Sequence, residues 1–473
     1  MNSALALFHW SAENVFPVVL GIIALGVVVF LHELGHFIVA KLRGIRVEVF
    51  SIGFPPKIWG FTRGGTEYRI SLILVGGYVK LAGMEFEEGV DPRSVGDGYY
   101  ASKITAKLAV CGSGPLMNLM SAFLIYCVIY VHGFPFPVNV AGTVIGSILE
   151  HSPAENAGLK PGDRVIEING SGVERWEEVT KSIVYSTLPA IDLVFERGGE
   201  RLSKRIVPER DEKLGLRRIG ILPRDLISVD VLEHSVAESA GVRNGDFIIG
   251  AGGEKVYSWE QLMTIIRSHD GAAVPLELLR NGNPLTVTVS PRYNTALKYP
   301  AIGVRLRLDV SMNDLAANGL VVYLHRSPFS QVAGNVREMY LTLRGLVLRE
   351  VSPRGLSGPI GIVQIMSYSA RAGLLQFLYV VAFISVNLAV LNLLPVPVLD
   401  GGHMLIALVE GARRRPLSVK AMTVMQNMFV AIFIALMVLI SANDIMRRWG
   451  ESISRLVFGE KTGAPTPAPV KKP

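Results

Sequence analysis

Residues 30–40 read FLHELGHFIVA and hold His32-Glu33-Leu34-Gly35-His36, an H-E-x-x-H. Residues four apart share one face of a helix, so both imidazoles can reach one metal ion. Glu33 stands beside the first histidine, where a carboxylate can take a proton from water at that metal. The surroundings constrain the chain more than the motif does. Residues 15–31 are apolar apart from their glycines, and the apolar run resumes over 37–40, which is long enough to cross a bilayer. Two histidines and a glutamate inside such a span are costly and read as functional.

Three further segments are long and apolar enough to span, at 108–131, 373–398 and 421–441. The chain of 473 residues exceeds one compact domain, and 50% hydrophobic against 18% charged residues indicates a membrane protein with soluble parts. Basic residues orient the spans. Ten lie between Lys41 and Lys107, and Arg413, Arg414, Arg415 and Lys420 separate the third span from the fourth. The positive-inside rule places both loops in the cytoplasm, and the N-terminus and residues 138–370 outside. The net charge of +7 therefore reports topology, and no nucleic acid is expected as a partner. Cys111 and Cys127 share one apolar segment 16 positions apart, about 24 Å along a helix, too far to bridge.

The outer region repeats itself. His151-Ser152-Pro153-Ala154-Glu155-Asn156-Ala157-Gly158 recurs as His234-Ser235-Val236-Ala237-Glu238-Ser239-Ala240-Gly241, an offset of 83 (234 − 151). Pro161-Gly162-Asp163 and Trp176-Glu177 recur at that offset as Asn244-Gly245-Asp246 and Trp259-Glu260. Each unit reads as short helix, Gly-Asp turn, strand, turn and helix. It resembles the PDZ domain through A-x-x-A-G-x-x-x-G-D and the apolar strand behind it. Units are expected at 138–212 and 215–293. Either they bind peptide termini by strand addition, or they act as spacers or a size filter.

The cytoplasmic loop 44–107 contains the strand-like runs 45–54 and 67–75, the second closed by Gly76-Gly77. They fit a short sheet against or dipping into the membrane, or an ordinary cytoplasmic hairpin. Residues 294–372 are expected to form an amphipathic juxtamembrane region, with a turn-rich stretch at Leu356-Ser357-Gly358-Pro359-Ile360-Gly361. Residues 446–473 read as a tail whose last part, 463–473, is disordered.

Catalytic zinc takes three protein ligands and a water. The third span ends Asn392-Leu393-Leu394-Pro395-Val396-Pro397-Val398-Leu399-Asp400-Gly401-Gly402-His403. Two prolines break this helix and leave an Asp at the break. Asp400 and the two histidines each fall at a cytoplasmic span end, so they share a depth.

H-E-x-x-H in the first span with N-x-x-P-x-P-x-L-D-G-G in the third resembles the site-2 protease family of intramembrane zinc metalloproteases. The tandem PDZ repeats, Gly65-Thr66-Glu67-Tyr68 with Gly76-Gly77-Tyr78-Val79-Lys80, and Gly114-Pro115 with Asn118 extend the resemblance to about residue 445. It implies an α-helical polytopic membrane protein of four transmembrane helices. A membrane-associated β-loop (44–107) and two mixed α/β PDZ domains, between helices two and three, complete it. It implies Zn2+ on His32, His36 and Asp400, with Glu33 as general base. Asn392 and Pro397 after the third span, and Tyr68, Ile70, Leu72, Gly76 and Gly77 of the β-loop, would hold a substrate strand. His403 would support the site without ligating, and Asn387 is equally well interhelical glue.

The implied activity is hydrolysis within the transmembrane segment of a pre-trimmed single-span membrane protein. The substrate would be an anti-sigma-factor-like regulator or a remnant signal peptide, in the bacterial inner membrane. The PDZ domains would lie outside and the site near the cytoplasm. A membrane-anchored PDZ scaffold with a structural or inactive metal site is the alternative. A proton-relaying transporter is a third, against which no inverted repeat stands out.

Overall fold

The computed structural model describes residues 2–84, 91–211, 216–348, 358–415 and 417–458. The chain divides into two units, one of residues 1–126, 329–339 and 353–473, the other of residues 127–328 and 340–352. Leu356 and Ser357 of the turn-rich stretch, and residues 463–473, lie outside the described residues.

Among the described residues four helices are long and apolar enough to span a membrane, Val15–Leu42 within the helix Asn2–Leu42, Ile104–His132, Leu374–Asn392 and Val419–Ala442. Glycines let them approach. A Cβ on Gly35 would lie 2.5 Å from the Ser113 carbonyl oxygen, so the first two spans touch through backbone there. The third span stops at Leu393 because Pro395 and Pro397 cannot continue a helix. A separate helix, Asp400–Arg413, then begins. Gly401 and Gly402 permit this break, since Cβ atoms there would meet the Leu393 and Val396 carbonyl oxygens at 2.2 and 2.1 Å.

Two expectations change in the first unit. The stretch from Pro359 opens a helix, Pro359–Ala372, with proline in its first turn. The fourth helix continues to Phe458, so the chain from 446 to 458 is helix and not tail.

Strands Val47–Arg63 and Thr66–Leu81 form an antiparallel hairpin that folds over on itself. Residues 47–52 pair with 77–81 on one side, and 49–52 pair with 67–70 on the other. Residues 66–70 pair again with 59–63. The lateral order is therefore 77–81, 47–52, 66–70, 59–63, which puts 77–81 at an edge and Tyr68 and Ile70 inside. A Cβ on Gly26 would lie 2.4 Å from the Leu74 carbonyl oxygen, so the hairpin rests directly on the first helix.

The second unit contains two α/β modules. In the first, Arg164–Ile168, Ile191–Arg197 and Glu200–Ile206 form a sheet under the helix Trp176–Val184. Ile191, Leu193 and Phe195 alternate inward, as a half-buried strand requires. The second repeats this with Asp246–Ala251, Val274–Arg280, Asn283–Val289 and the helix Trp259–Ser268. The repeated His-Ser is a turn and a cap. His151 and His234 take positive φ, and Ser152 and Ser235 accept from the Glu155 and Glu238 N–H. The repeated Gly-Asp receives an arginine fork. Arg197 donates to both oxygens of buried Asp163, and Arg280 does the same to Asp246.

The module boundaries differ from 138–212 and 215–293. Ile221–Pro223 pairs with Ile145–Ile148, and Ile219 lies in the first core. Val304–Leu306 pairs with Ile227–Val231, and Ile302 lies in the second core. Each module is closed by a strand that returns beside its first strand. The signal is Ile219-Gly220-Ile221 recurring as Ile302-Gly303-Val304 at the same offset of 83 (302 − 219). Residues 294–306 thus finish the second module rather than open a juxtamembrane region.

Candidate metal centre

His32 and His36 project from successive turns of the first helix, with their Nε2 atoms 3.1 Å apart. Asp400, first residue of the helix after the break, brings Oδ2 to 3.1 Å from His32 Nε2 and Oδ1 to 3.3 Å from His36 Nε2. Among the described residues these three are the His/Cys/Asp/Glu group arranged to hold one ion. The donor set fits zinc. Ligands at about 2.0–2.1 Å around a tetrahedral ion stand about 3.3 Å apart, close to the spacings here. Asp400 Oδ2 is buried without a hydrogen-bond partner among the described residues, as an oxygen kept for a cation would be.

The second span orients both rings. His36 Nδ1 donates to the Val110 carbonyl at 2.7 Å, which leaves the Nε2 lone pair for metal. The Asn118 amide nitrogen lies 3.2 Å from His32 Nδ1, while its own Oδ1 has no partner. With that amide turned over, Oδ1 accepts from Nδ1–H and leaves the His32 Nε2 lone pair for the metal. Gly114 supplies the room, since a Cβ there would lie 2.4 Å from His36 Nε2 and 2.7 Å from His32 Cε1. The family resemblance brought out Gly114 and Asn118 without a role. These contacts supply one.

Glu33 faces the hairpin edge, where its Oε2 accepts from the Val79 N–H at 3.0 Å. A cavity of about 270 Å³ joins His32, Glu33, His36 and Asp400 to Val79, Leu81 and Asn392. Asn392 also brings its amide nitrogen to 3.2 Å from His32 Nε2. The other strand-holding candidates fare differently. Tyr68 packs among Phe37, Phe50 and Phe61, and its backbone, like that of Ile70, is paired on both sides. An interior strand has no free edge to offer, so neither residue presents its backbone for strand addition. Leu72 is exposed, Gly76 lies against Val29 and Phe54, and Gly77 starts the edge segment. These three and Pro397 are not among the residues that line the cavity. His403 sits behind the site, with Nδ1 3.5 Å from the Tyr100 hydroxyl.

A metal cluster of this kind on broken, glycine-packed membrane helices, with a carboxylate beside it, defines a class, the multi-pass membrane metalloproteases. The chain belongs to peptidase family M50, whose pattern matches residues 20–436. Regulator of sigma-E protease RseP of Escherichia coli (strain K12) is 31% identical over 456 residues, covering 90% of this chain and 97% of its own. A putative zinc metalloprotease of Vibrio cholerae (serotype O1) is 28% identical over 453 residues, with the same coverage of each. Zinc is accordingly the metal of this enzyme. Among solved structures, the PDZ domain of the SdrC-like protein from Listeria innocua is 26% identical, covering 18% of this chain and 94% of its own, at a TM-score of 0.17.

Proposed function

We propose that this protein hydrolyses a peptide bond within the transmembrane segment of a single-span membrane protein already trimmed on its outer side. The carrying observation is Glu33 one residue from His32, beside a three-residue donor set that converges from two helices. His32, His36 and Asp400 would hold the ion. Zinc, when bound, supplies Lewis-acid polarisation of a carbonyl and acidification of water. Glu33 takes the proton from the attacking water and hands it to the departing amine. The Val79 N–H keeps the Glu33 carboxylate aimed while it does so.

A transmembrane helix hides its carbonyls in i to i−4 bonds, so the substrate must unwind at the site. The edge segment 77–81 supports a way to do this. Residues in a strand alternate sides, so Gly77 faces the same side as Val79, whose N–H points at Glu33. The Gly77 N–H and C=O and the Val79 C=O receive the opened substrate as an added strand. Asn392 borders its path.

The two modules read as tandem PDZ domains on the outer side of a bacterial inner membrane. They bind peptide termini or reject substrates that keep a bulky outer domain. The substrate is an anti-sigma-factor-like regulator or a remnant signal peptide, the first in keeping with the Escherichia coli relative's name as a regulator of sigma-E protease.

The test is cleavage of a synthetic membrane-spanning peptide by purified wild type, Glu33→Gln and Asp400→Asn. Glu33→Gln should bind zinc and cut nothing, and Asp400→Asn should lose zinc. A wild type that binds zinc and cuts no membrane peptide would leave the scaffold as the better account.

A further inference from the structure

The mechanism makes no use of a buried carboxylate on the same helix as Asp400. Glu410 is 8% exposed and follows Asp400 by ten residues (410 − 400) on the helix Asp400–Arg413. Its Oε1 accepts from the Arg93 guanidinium at 3.2 Å and from the Leu417 N–H at 3.1 Å. Its Oε2 accepts from Lys107 Nζ at 3.2 Å. Lys107 is 5% exposed, in the first turn of the second span, three residues before the Val110 carbonyl that orients His36. Arg93 also donates to the Leu417 carbonyl at 2.6 Å, just before the fourth helix.

We propose that Glu410, clamped by Lys107 and Arg93, is a positioning residue that sets the Asp400 helix against the two histidines and so fixes the metal affinity of the site. The inference rests on His32, His36 and Asp400 being the ligands. Burying charges is a poor way to gain stability, because apolar residues of similar volume do as well or better. What an ion pair adds is direction, with charge-assisted hydrogen bonds that resist sliding and rotation. The Asp400 helix needs that restraint. The break at Pro395 and Pro397 interrupts the backbone bonds that would otherwise tie it to the third span. Lys107 ties it to the span that already orients His36 and leaves room for both rings. The Lys107 ammonium also lies 5.4 Å from the centre of the Tyr100 ring, and the Tyr100 hydroxyl reaches His403, one turn past Asp400. The restraint therefore acts at two points along one helix.

The test uses the purified full-length protein. Zinc affinity is measured by competition with a chelator, and kcat and KM on a synthetic membrane-spanning peptide. For Glu410→Gln the zinc Kd should rise about tenfold or more. kcat should fall at limiting zinc and recover in excess zinc, while KM stays within about twofold. If Glu410→Gln does not fold, the pair Glu410→Met with Lys107→Met removes the deeper of the two cations that would lose its partner, while Arg93 keeps the Leu417 carbonyl, and its zinc Kd should still be raised. Wild-type zinc affinity in whichever of the two folds overturns the proposal. Asp400→Asn, measured alongside, separates the two failures. If it loses zinc while Glu410→Gln keeps it, only the clamp falls. If it keeps zinc, the ligand assignment falls and takes the clamp with it.

Discussion

The backbone N–H of Val79 donates to Oε2 of Glu33 across 3.0 Å. The proposed general base is thus held by the edge of the hairpin and not by another helix. Substrate and base would then meet on the same strand, one using its outward backbone groups and the other its amide. Anything that displaces this edge changes substrate seating and proton transfer together.

Val79→Pro removes that one donor. An edge strand tolerates proline where its N–H faces outward, so the hairpin should persist. One lost hydrogen bond to a carboxylate is worth about 1.5 kcal/mol, or roughly tenfold in rate. kcat should fall by about that factor, with zinc content unchanged. Metal analysis beside single-turnover cleavage checks this, and a loss of zinc in the variant would show that Val79 supports the metal instead.

Gly114→Ala should abolish metal binding without unfolding the second span. Alanine is the better helix former, but its Cβ would sit 2.4 Å from His36 Nε2. The atom it strikes is the one that must bind the ion, and the Val110 bond prevents the ring from turning away. Zinc affinity should drop at least about a hundredfold, with the helical circular dichroism unchanged. A variant retaining wild-type zinc content would mean that the rings swing clear.

Much of this architecture is visible in the sequence, and the reasons for the remainder are specific. The spans announce themselves by length and apolarity, and the histidine pair by spacing along one helix. The Asp400 break is written in Pro395 and Pro397. The hairpin order is not visible, because Glu67-Tyr68-Arg69-Ile70 has the same strand-like composition whether it lies at an edge or inside, and only the pairing of 67–70 on both sides decides. The module ends are hidden for a different reason. Ile219-Gly220-Ile221 is too short to stand out as a strand, and only its recurrence at 302–304 gives it meaning. Val110 and Val79 reach His36 and Glu33, and Glu410 reaches Lys107 and Arg93, across 46 to 317 residues of chain, which no local pattern encodes.

The arginine forks predict matched and separable instabilities. Asp163 and Asp246 are almost fully buried, and each also accepts a backbone N–H, from Lys160 and Arg243 respectively. Asp163→Ala leaves the Arg197 guanidinium and the Lys160 amide without their acceptor, a cost of about 2–3 kcal/mol. Asp246→Ala should do the same to the second module alone. Limited proteolysis should find the new cut in the module that carries the change, with zinc content untouched in both. Cuts in both modules from a single substitution would contradict two independent cores.

The hairpin carries its own acid limit. Arg69 and Lys57 both donate to the Glu67 carboxylate, at 2.5 and 2.6 Å, and hold its pKa down to about 2 from an ordinary value near 4.5. A carboxylate depressed on folding adds stability that is complete above pH 4.5 and is lost as the pH falls through 2. The group is only half-buried and open to solvent, so the contribution is small and salt-sensitive. The hairpin should therefore keep this ion triad through pH 4, when ordinary carboxylates are already protonating. Carbon-13 labelling of glutamate in the purified protein should show the Glu67 carboxyl titrating near 2, and in Arg69→Leu its midpoint should move up toward 4.5. A wild-type midpoint near 4.5 would show that the two cations do not hold this carboxylate in solution.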